Sequence, residues 1–161
     1  MTKFNPNGRI LWRGLSPYNG KPIVCIVTGL TTATGNTKTG EGLLQTWILF
    51  EDLKPNEAFK IKEFGESVCG DCPHATYNKP KENGFATCYV RTYHAPRSVW
   101  ECYTNGQGYA PIGNDWHLLR NKGLRLGSFG DPAMVPIEVW EKALKEVYFD
   151  AKPRERRHTG Y

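Results

Sequence analysis

The chain has 161 residues, of which 39% are hydrophobic, 12% aromatic and 23% charged; this composition suits one folded domain and excludes a disordered chain. The net charge of +5 is a modest excess that does not by itself indicate a nucleic-acid partner. The longest unbroken apolar run, residues 23–27, is far shorter than the roughly 20 residues of a membrane-spanning helix. The first residues lack the apolar core of a signal peptide, so we expect a cytoplasmic protein with reduced cysteines.

The first predicted elements are two strands, a long loop and a helix. Residues 21–28 and 43–50 are rich in β-branched and aromatic side chains, which predicts two neighbouring strands. Residues 64–92 contain many glycines, prolines and asparagines and predict a loop. A short helix follows, with Pro96 in its first turn and Asn105-Gly106 at its end.

The last predicted elements are a strand, a Gly-Asp loop and a helix. Residues 124–128 predict a strand that stops at residues 129–132, and residues 136–148 carry one apolar helical face. In α/β sheets and barrels such a loop lies at the carboxyl ends of the strands, where ligands bind. We therefore predict an α/β fold, a partial or incomplete TIM-barrel-like sheet with helices and a cysteine-bearing loop. Residues 1–150 form a single metal-binding domain, and residues 151–161 form a basic tail.

Three cysteines form the candidate metal site. Cys69 and Cys72 are a Cys-x2-Cys pair, a spacing that lets two thiolates reach one ion or cluster from a tight turn. Cys88 supplies a third sulfur after the loop has doubled back. The sequence therefore predicts three ligands from one segment.

The sequence leaves the identity of a fourth ligand open. Whether a fourth protein ligand exists decides between zinc and a four-iron cluster. Cys102 lies on the predicted helix, a position more typical of a core residue, and His74 is an imidazole alternative. Structural zinc takes four protein ligands, usually as two close pairs, and the second pair is absent here. A four-iron cluster held by three cysteines leaves one iron open to a small molecule. The ligand count therefore disfavours structural zinc, and at this point both an iron–sulfur cluster and zinc stay open.

Four short segments carry a resemblance to a known group of proteins. They are residues 33–40, with Gly35-Asn36-Thr37-Lys38-Thr39-Gly40; Cys69-x2-Cys72-Pro73; Cys88-Tyr89-Val90; and residues 124–132, with Arg125, Gly130 and Asp131. Together they resemble bacteriophage proteins of the gene-product-88 type, which are themselves similar to radical S-adenosylmethionine barrels.

The resemblance implies a site, an activity and cofactors. Cys69, Cys72 and Cys88 would hold a 4Fe-4S cluster near the strand ends. A further set of residues at the strand end would contact S-adenosylmethionine: Gly127, Ser128, Gly130 and Asp131. The protein would be a phage-type iron–sulfur protein acting in the host cytoplasm, without a membrane, on nucleic acid or a small metabolite.

A second interpretation belongs to a different class. A complete radical barrel needs about 200 residues, more than this chain has. The alternative is therefore a non-catalytic protein, stabilised by zinc or a cluster, that binds a host protein or nucleic acid. Its basic tail would supply an electrostatic contact to phosphate.

Two sets of candidate groups also have purely structural explanations. Asp131 precedes Pro132 at the start of a helix, where its carboxylate suits an N-cap. Four tyrosines around the first helix suit the core better than base stacking, because basic residues are not interleaved among them: Tyr89, Tyr93, Tyr103 and Tyr109.

Overall fold

A five-stranded sheet organises the computed structural model, which describes residues 3–31, 42–78 and 87–147. The strands are β1 (Gly8–Leu15), β2 (Pro22–Thr28), β3 (Leu43–Phe50), β4 (Ala110–Pro111) and β5 (Gly123–Phe129), in the order β4-β1-β2-β3-β5. The helices are α1 (Pro55–Ala58), α2 (Lys62–Cys69), α3 (Ala95–Asn105) and α4 (Ile137–Val147). Three short 3-10 helices cover Thr76–Asn78, Asp115–Leu119 and Pro132–Met134.

The centre of the core is formed by β2 and β3. Residues 23–27 of β2 are fully buried, and so are residues 48 and 49 of β3. Because successive side chains of a strand point to opposite faces, this burial means that both faces of the sheet are covered here. The predicted strands at 21–28 and 43–50 are confirmed, and they pair side by side.

The sheet is open and mixed rather than barrel-like. β1, β2 and β3 pair antiparallel, whereas β4 pairs parallel with β1 and β5 pairs parallel with β3. The α/β class is confirmed, but no closed barrel exists within the described residues, so the TIM-barrel-like part of the prediction is not confirmed. The physical reason is that a turn over residues 16–21 joins β1 to β2, whereas a parallel barrel needs a crossover connection at each step.

The two predicted helices, α3 and α4, are present, and two helices, α1 and α2, were missed. α3 has Pro96 in its first turn and Gly106 as its C-cap, and α4 buries Trp140 on the face that packs on the sheet. The predicted loop over 64–92 is wrong for its first residues, which belong to α2. Gly65 suggests a turn in the sequence, but in α2 it makes room for the Tyr77 ring, which a Cβ at this position would overlap.

The tyrosines divide between the core and the surface. Tyr109 is buried, as predicted. The prediction is wrong for Tyr89 and Tyr93, which are 75% and 57% exposed, because they lie on the loop and turn that lead into α3.

Two of the sequence features lie outside the described residues. They are the glycine-rich motif at 35–40 and the basic tail at 151–161. Among the helices that the structure describes, none is long and apolar enough to cross a bilayer.

A bulge in β5, opposite Thr46 of β3, shapes the end of β5. The regular pairing of β3 with β5 is interrupted between Gln45 and Trp47. At this point the Thr46 hydroxyl donates to the Arg125 carbonyl at 2.9 Å and accepts from the Gly127 amide at 2.8 Å. One buried side chain therefore replaces two ladder bonds, which lets the chain turn away from β3 at Gly127.

The turn after β5 approaches β3 too closely for a side chain. Gly130 has a φ of +85°, and a Cβ added there would lie 2.6 Å from Ile48 Cβ and 2.7 Å from the Ile48 carbonyl oxygen. Glycine at this position is therefore required both by backbone conformation and by packing.

We predict that Gly130→Ala destabilises the protein more than Gly20→Ala. Gly20 also has a positive φ, of +72°, but no atom lies within 4 Å of an added Cβ there. Both substitutions cost about 1 kcal/mol for the left-handed conformation, and Gly130→Ala adds about 2 kcal/mol of overpacking. Urea denaturation of the two variants measures this difference in the free energy of unfolding. Equal losses would show that Gly130 is not constrained by β3.

Candidate metal and cofactor site

The end of α2 and the end of β5 are joined by a backbone hydrogen bond. The Asp131 amide donates to the Val68 carbonyl at 2.7 Å. Gly70 ends α2 with a φ of +57°, and an added Cβ there would lie 3.0 Å from Met134 Cε. Cys69, the last residue of α2, is therefore held beside the turn that follows β5.

The loop that carries Cys72 is held by its own polar contacts. The Tyr77 hydroxyl donates to the Gly70 carbonyl at 2.8 Å. The Asn78 side-chain amide donates to the Asp71 carboxylate at 2.9 Å and to the Cys72 carbonyl at 3.0 Å. These bonds close the loop around Cys72, so its position follows from the loop sequence.

Cys88 is brought back to this loop by contacts with His74. The Cys88 amide donates to the His74 carbonyl at 3.1 Å, and His74 Nδ1 lies 2.7 Å from the Thr87 hydroxyl. His74 therefore positions the third cysteine.

One cavity of about 570 Å³ brings most of the predicted site residues together. Its lining includes Cys69, Cys72, Cys88, Gly127, Gly130 and Asp131. Apolar side chains complete the wall, among them Phe59 and Met134. The three thiols and the turn after β5 thus share a single space, while their roles as ligands stay predictions.

Ser128 is the predicted site residue that lies elsewhere. It lines a different cavity, because its position in β5 alternates with those of Gly127 and Phe129. Asp131 does line the cysteine cavity, but its carboxylate accepts from the Ala133 amide at 2.9 Å. This bond caps the 3-10 helix Pro132–Met134, so the predicted N-cap role is confirmed.

The two candidates for a fourth ligand do not line the cavity. Cys102 Sγ accepts from the Asn5 side-chain amide at 3.3 Å and packs beside Tyr109, and His74 is engaged with Thr87. Cys25 is fully buried in β2, as expected of a small hydrophobic residue. The cavity therefore has three cysteines.

The environment of Cys69 disfavours its thiolate. Burial, followed by the proximity of Cys72, Cys88 and Asp131, raises the pKa of Cys69 to about 12, although the Asp131 amide acts in the opposite direction. Burial and the nearby cysteines also raise the pKa of Tyr77. A metal that binds here must displace a proton from Cys69, which makes loading dependent on pH.

The spacing of the side chains bears on the kind of metal. Within the ranges that the structure describes, no three His, Cys, Asp or Glu side chains are arranged to hold one metal ion. A zinc ion needs every sulfur about 2.3 Å from a single point. A cluster distributes its cysteines over several iron atoms, so its thiolates lie farther apart than those of a zinc site, at separations that the cluster itself fixes. Three soft thiols border one cavity, and thiolates are the type of donor that an iron–sulfur cluster uses.

Comparisons of the chain with known protein families, with curated proteins and with solved structures found no match. The resemblance to phage proteins therefore stays a prediction.

We predict that Cys69 of the chelator-treated protein reacts slowly with iodoacetamide at pH 8. The reactive species is the thiolate. An ordinary cysteine has a pKa of 9.0, and the raised pKa of Cys69 keeps its thiol protonated at and above that pH. The rate should be at least about a hundredfold lower than for the same residue in the urea-unfolded protein. Mass spectrometry of the modified peptide measures both rates. Equal rates in the folded and unfolded protein would contradict the burial of this thiol.

Proposed function

We propose that the protein is an iron–sulfur protein of the radical S-adenosylmethionine kind, in which Cys69, Cys72 and Cys88 hold a four-iron cluster. The observation that carries this proposal is the shared cavity, which contains three thiols and the turn after β5. The predicted resemblance to phage proteins, which rests in part on the same cysteines, points to the same kind of site. On this proposal the substrate is a nucleic acid or a small metabolite in the host cytoplasm.

The size and composition of the cavity favour a cluster over zinc. A structural zinc site is closed by four protein ligands and leaves no further space. Here three cysteines border about 570 Å³, which leaves room for a small molecule beside an inorganic centre. A four-iron cluster on three cysteines supplies one-electron chemistry and one iron open to an amino and a carboxylate group.

The residues of the turn after β5 have a binding role in this proposal. Gly127 and Gly130 line the cavity, so backbone of this turn forms part of its wall. Their conformations are fixed by the bulge opposite Thr46 and by the contact with Ile48. A turn of fixed conformation at the cavity wall is suited to position the polar end of a cofactor.

A second candidate function is a metal-stabilised binding protein without catalysis. The observation that favours it is the open sheet, in which β1, β2 and β3 run antiparallel. Such a sheet does not enclose a substrate as a barrel does. In that case the metal would stabilise the long loop between α2 and α3.

We predict that anaerobic reconstitution with iron and sulfide gives a brown protein that retains both elements after gel filtration. Replacing Cys69, Cys72 or Cys88 by Ser should remove most of the bound iron, because each substitution deletes one of three thiolate ligands. Iron and acid-labile sulfide analysis measures the loading.

Cys102→Ser is the matched control, because this cysteine is also half-buried but lies outside the cavity. Its iron content should equal that of the wild-type protein, with a packing cost of about 1 to 2 kcal/mol at most. Equal loss of iron in Cys102→Ser, or a colourless protein with one bound zinc, would contradict the proposed cluster.

A further inference from the structure

A second cavity lies next to the cysteine cavity and has a different chemical character. It measures about 440 Å³ and shares Tyr89 and Val90 with the first cavity. No acidic residue is among the described residues that line it. The polar side chains of its lining are basic or neutral and include Gln45, Arg91, His94, Arg125 and Ser128. The cavity is therefore suited to an anion.

The two arginines of this cavity keep their charge uncompensated. Arg125 donates to the Tyr89 hydroxyl at 2.6 Å, which is a neutral partner. Neither Arg125 nor Arg91 forms an ion pair with a described residue, whereas Arg97 on the neighbouring helix pairs with Glu101 at 2.6 Å. The guanidinium groups at the cavity thus retain donors for a ligand.

Ser128 supplies an independent sign of a missing ligand. It is only 4% exposed, and its hydroxyl has no hydrogen-bond partner among the described residues. Buried polar atoms in native proteins are nearly always paired, so an orphan hydroxyl in a cavity wall indicates a group that normally satisfies it. The same residue lines the cavity that the arginines line.

The N-terminus of α3 adds a third feature. Ala95 and Pro96, the first residues of this 11-residue helix, line the cavity. The N-cap residue His94 makes no side-chain capping bond. The positive end of the helix dipole attracts anions here, and Ala95 supplies a first-turn amide, whereas Pro96 has no N–H to donate.

We propose that this cavity binds the phosphate group of a nucleotide. Arginine guanidinium groups, a serine hydroxyl and a helix N-terminus are all donors to phosphate oxygens, and they meet here without an acidic neighbour. The ring of Tyr89, which is 75% exposed, borders the cavity and offers a face on which a base stacks. The proposal goes beyond the cysteine site, because phosphate binding needs no metal.

The experiment is a calorimetric titration of the purified protein with inorganic phosphate. We expect saturable binding that weakens at least about tenfold in Arg125→Gln and in Ser128→Ala, since each variant removes a donor to a charged group. In the absence of phosphate, Ser128→Ala should unfold at the same temperature as the wild-type protein or higher, because it removes an unpaired buried hydroxyl.

Arg97→Gln is the matched control, because it also removes one arginine charge, from α3, the helix whose N-terminus borders the cavity, and Arg97 itself does not line the cavity. It should bind phosphate as the wild-type protein does. Absence of saturable phosphate binding, or equal weakening in Arg97→Gln and Arg125→Gln, would overturn the proposal.

Competition by two further probes identifies the source of the phosphate. If a nucleoside monophosphate displaces inorganic phosphate at a lower concentration than a 5′-phosphorylated oligonucleotide does, the ligand is a free nucleotide. If the oligonucleotide displaces it at the lower concentration, the ligand is the 5′ end of a nucleic acid. A 5′-hydroxyl oligonucleotide that competes as well as the phosphorylated one would overturn the site.

Discussion

The candidate site depends on one backbone hydrogen bond, from the Asp131 amide to the Val68 carbonyl. It joins the last turn of α2 to the turn after β5, two segments that are about sixty residues apart in the sequence. Cys69 follows Val68 directly, so the same bond places the first thiol beside the glycine-rich end of the strand. The remaining cysteines are then positioned by local contacts within the loop and by His74.

The end of β5 separates two cavities of different chemistry. Gly127 and Phe129 line the cysteine cavity, and Ser128 between them lines the basic cavity, because alternate residues of a strand point to opposite sides. Tyr89 borders both spaces. A nucleotide whose phosphate occupies the basic cavity would therefore lie next to the three thiols. The two proposed sites share β5 and Tyr89 as a common wall.

The sequence predicts those parts of the fold that local patterns encode. β2 is predictable because it is buried on both faces and so forms an unbroken apolar run, and α4 because its apolar face repeats at helical spacing. β1 is not predictable from the sequence, because its half-buried pattern mixes apolar residues with Arg9 and Arg13. The Cys-x2-Cys pair is visible in the sequence, whereas the place of Cys88 depends on a bond to His74 across the loop. The alternation that separates Ser128 from Gly127 follows from the period of a strand.

The central claim is that three cysteines hold a four-iron cluster with one iron open to a small molecule. The most direct measurement is electron paramagnetic resonance of the anaerobically reconstituted, reduced protein, recorded with and without S-adenosylmethionine. We expect the signal of a reduced four-iron cluster and a clear change of that signal when S-adenosylmethionine is added. A protein without an iron–sulfur signal, or a signal that S-adenosylmethionine leaves unchanged, would contradict it.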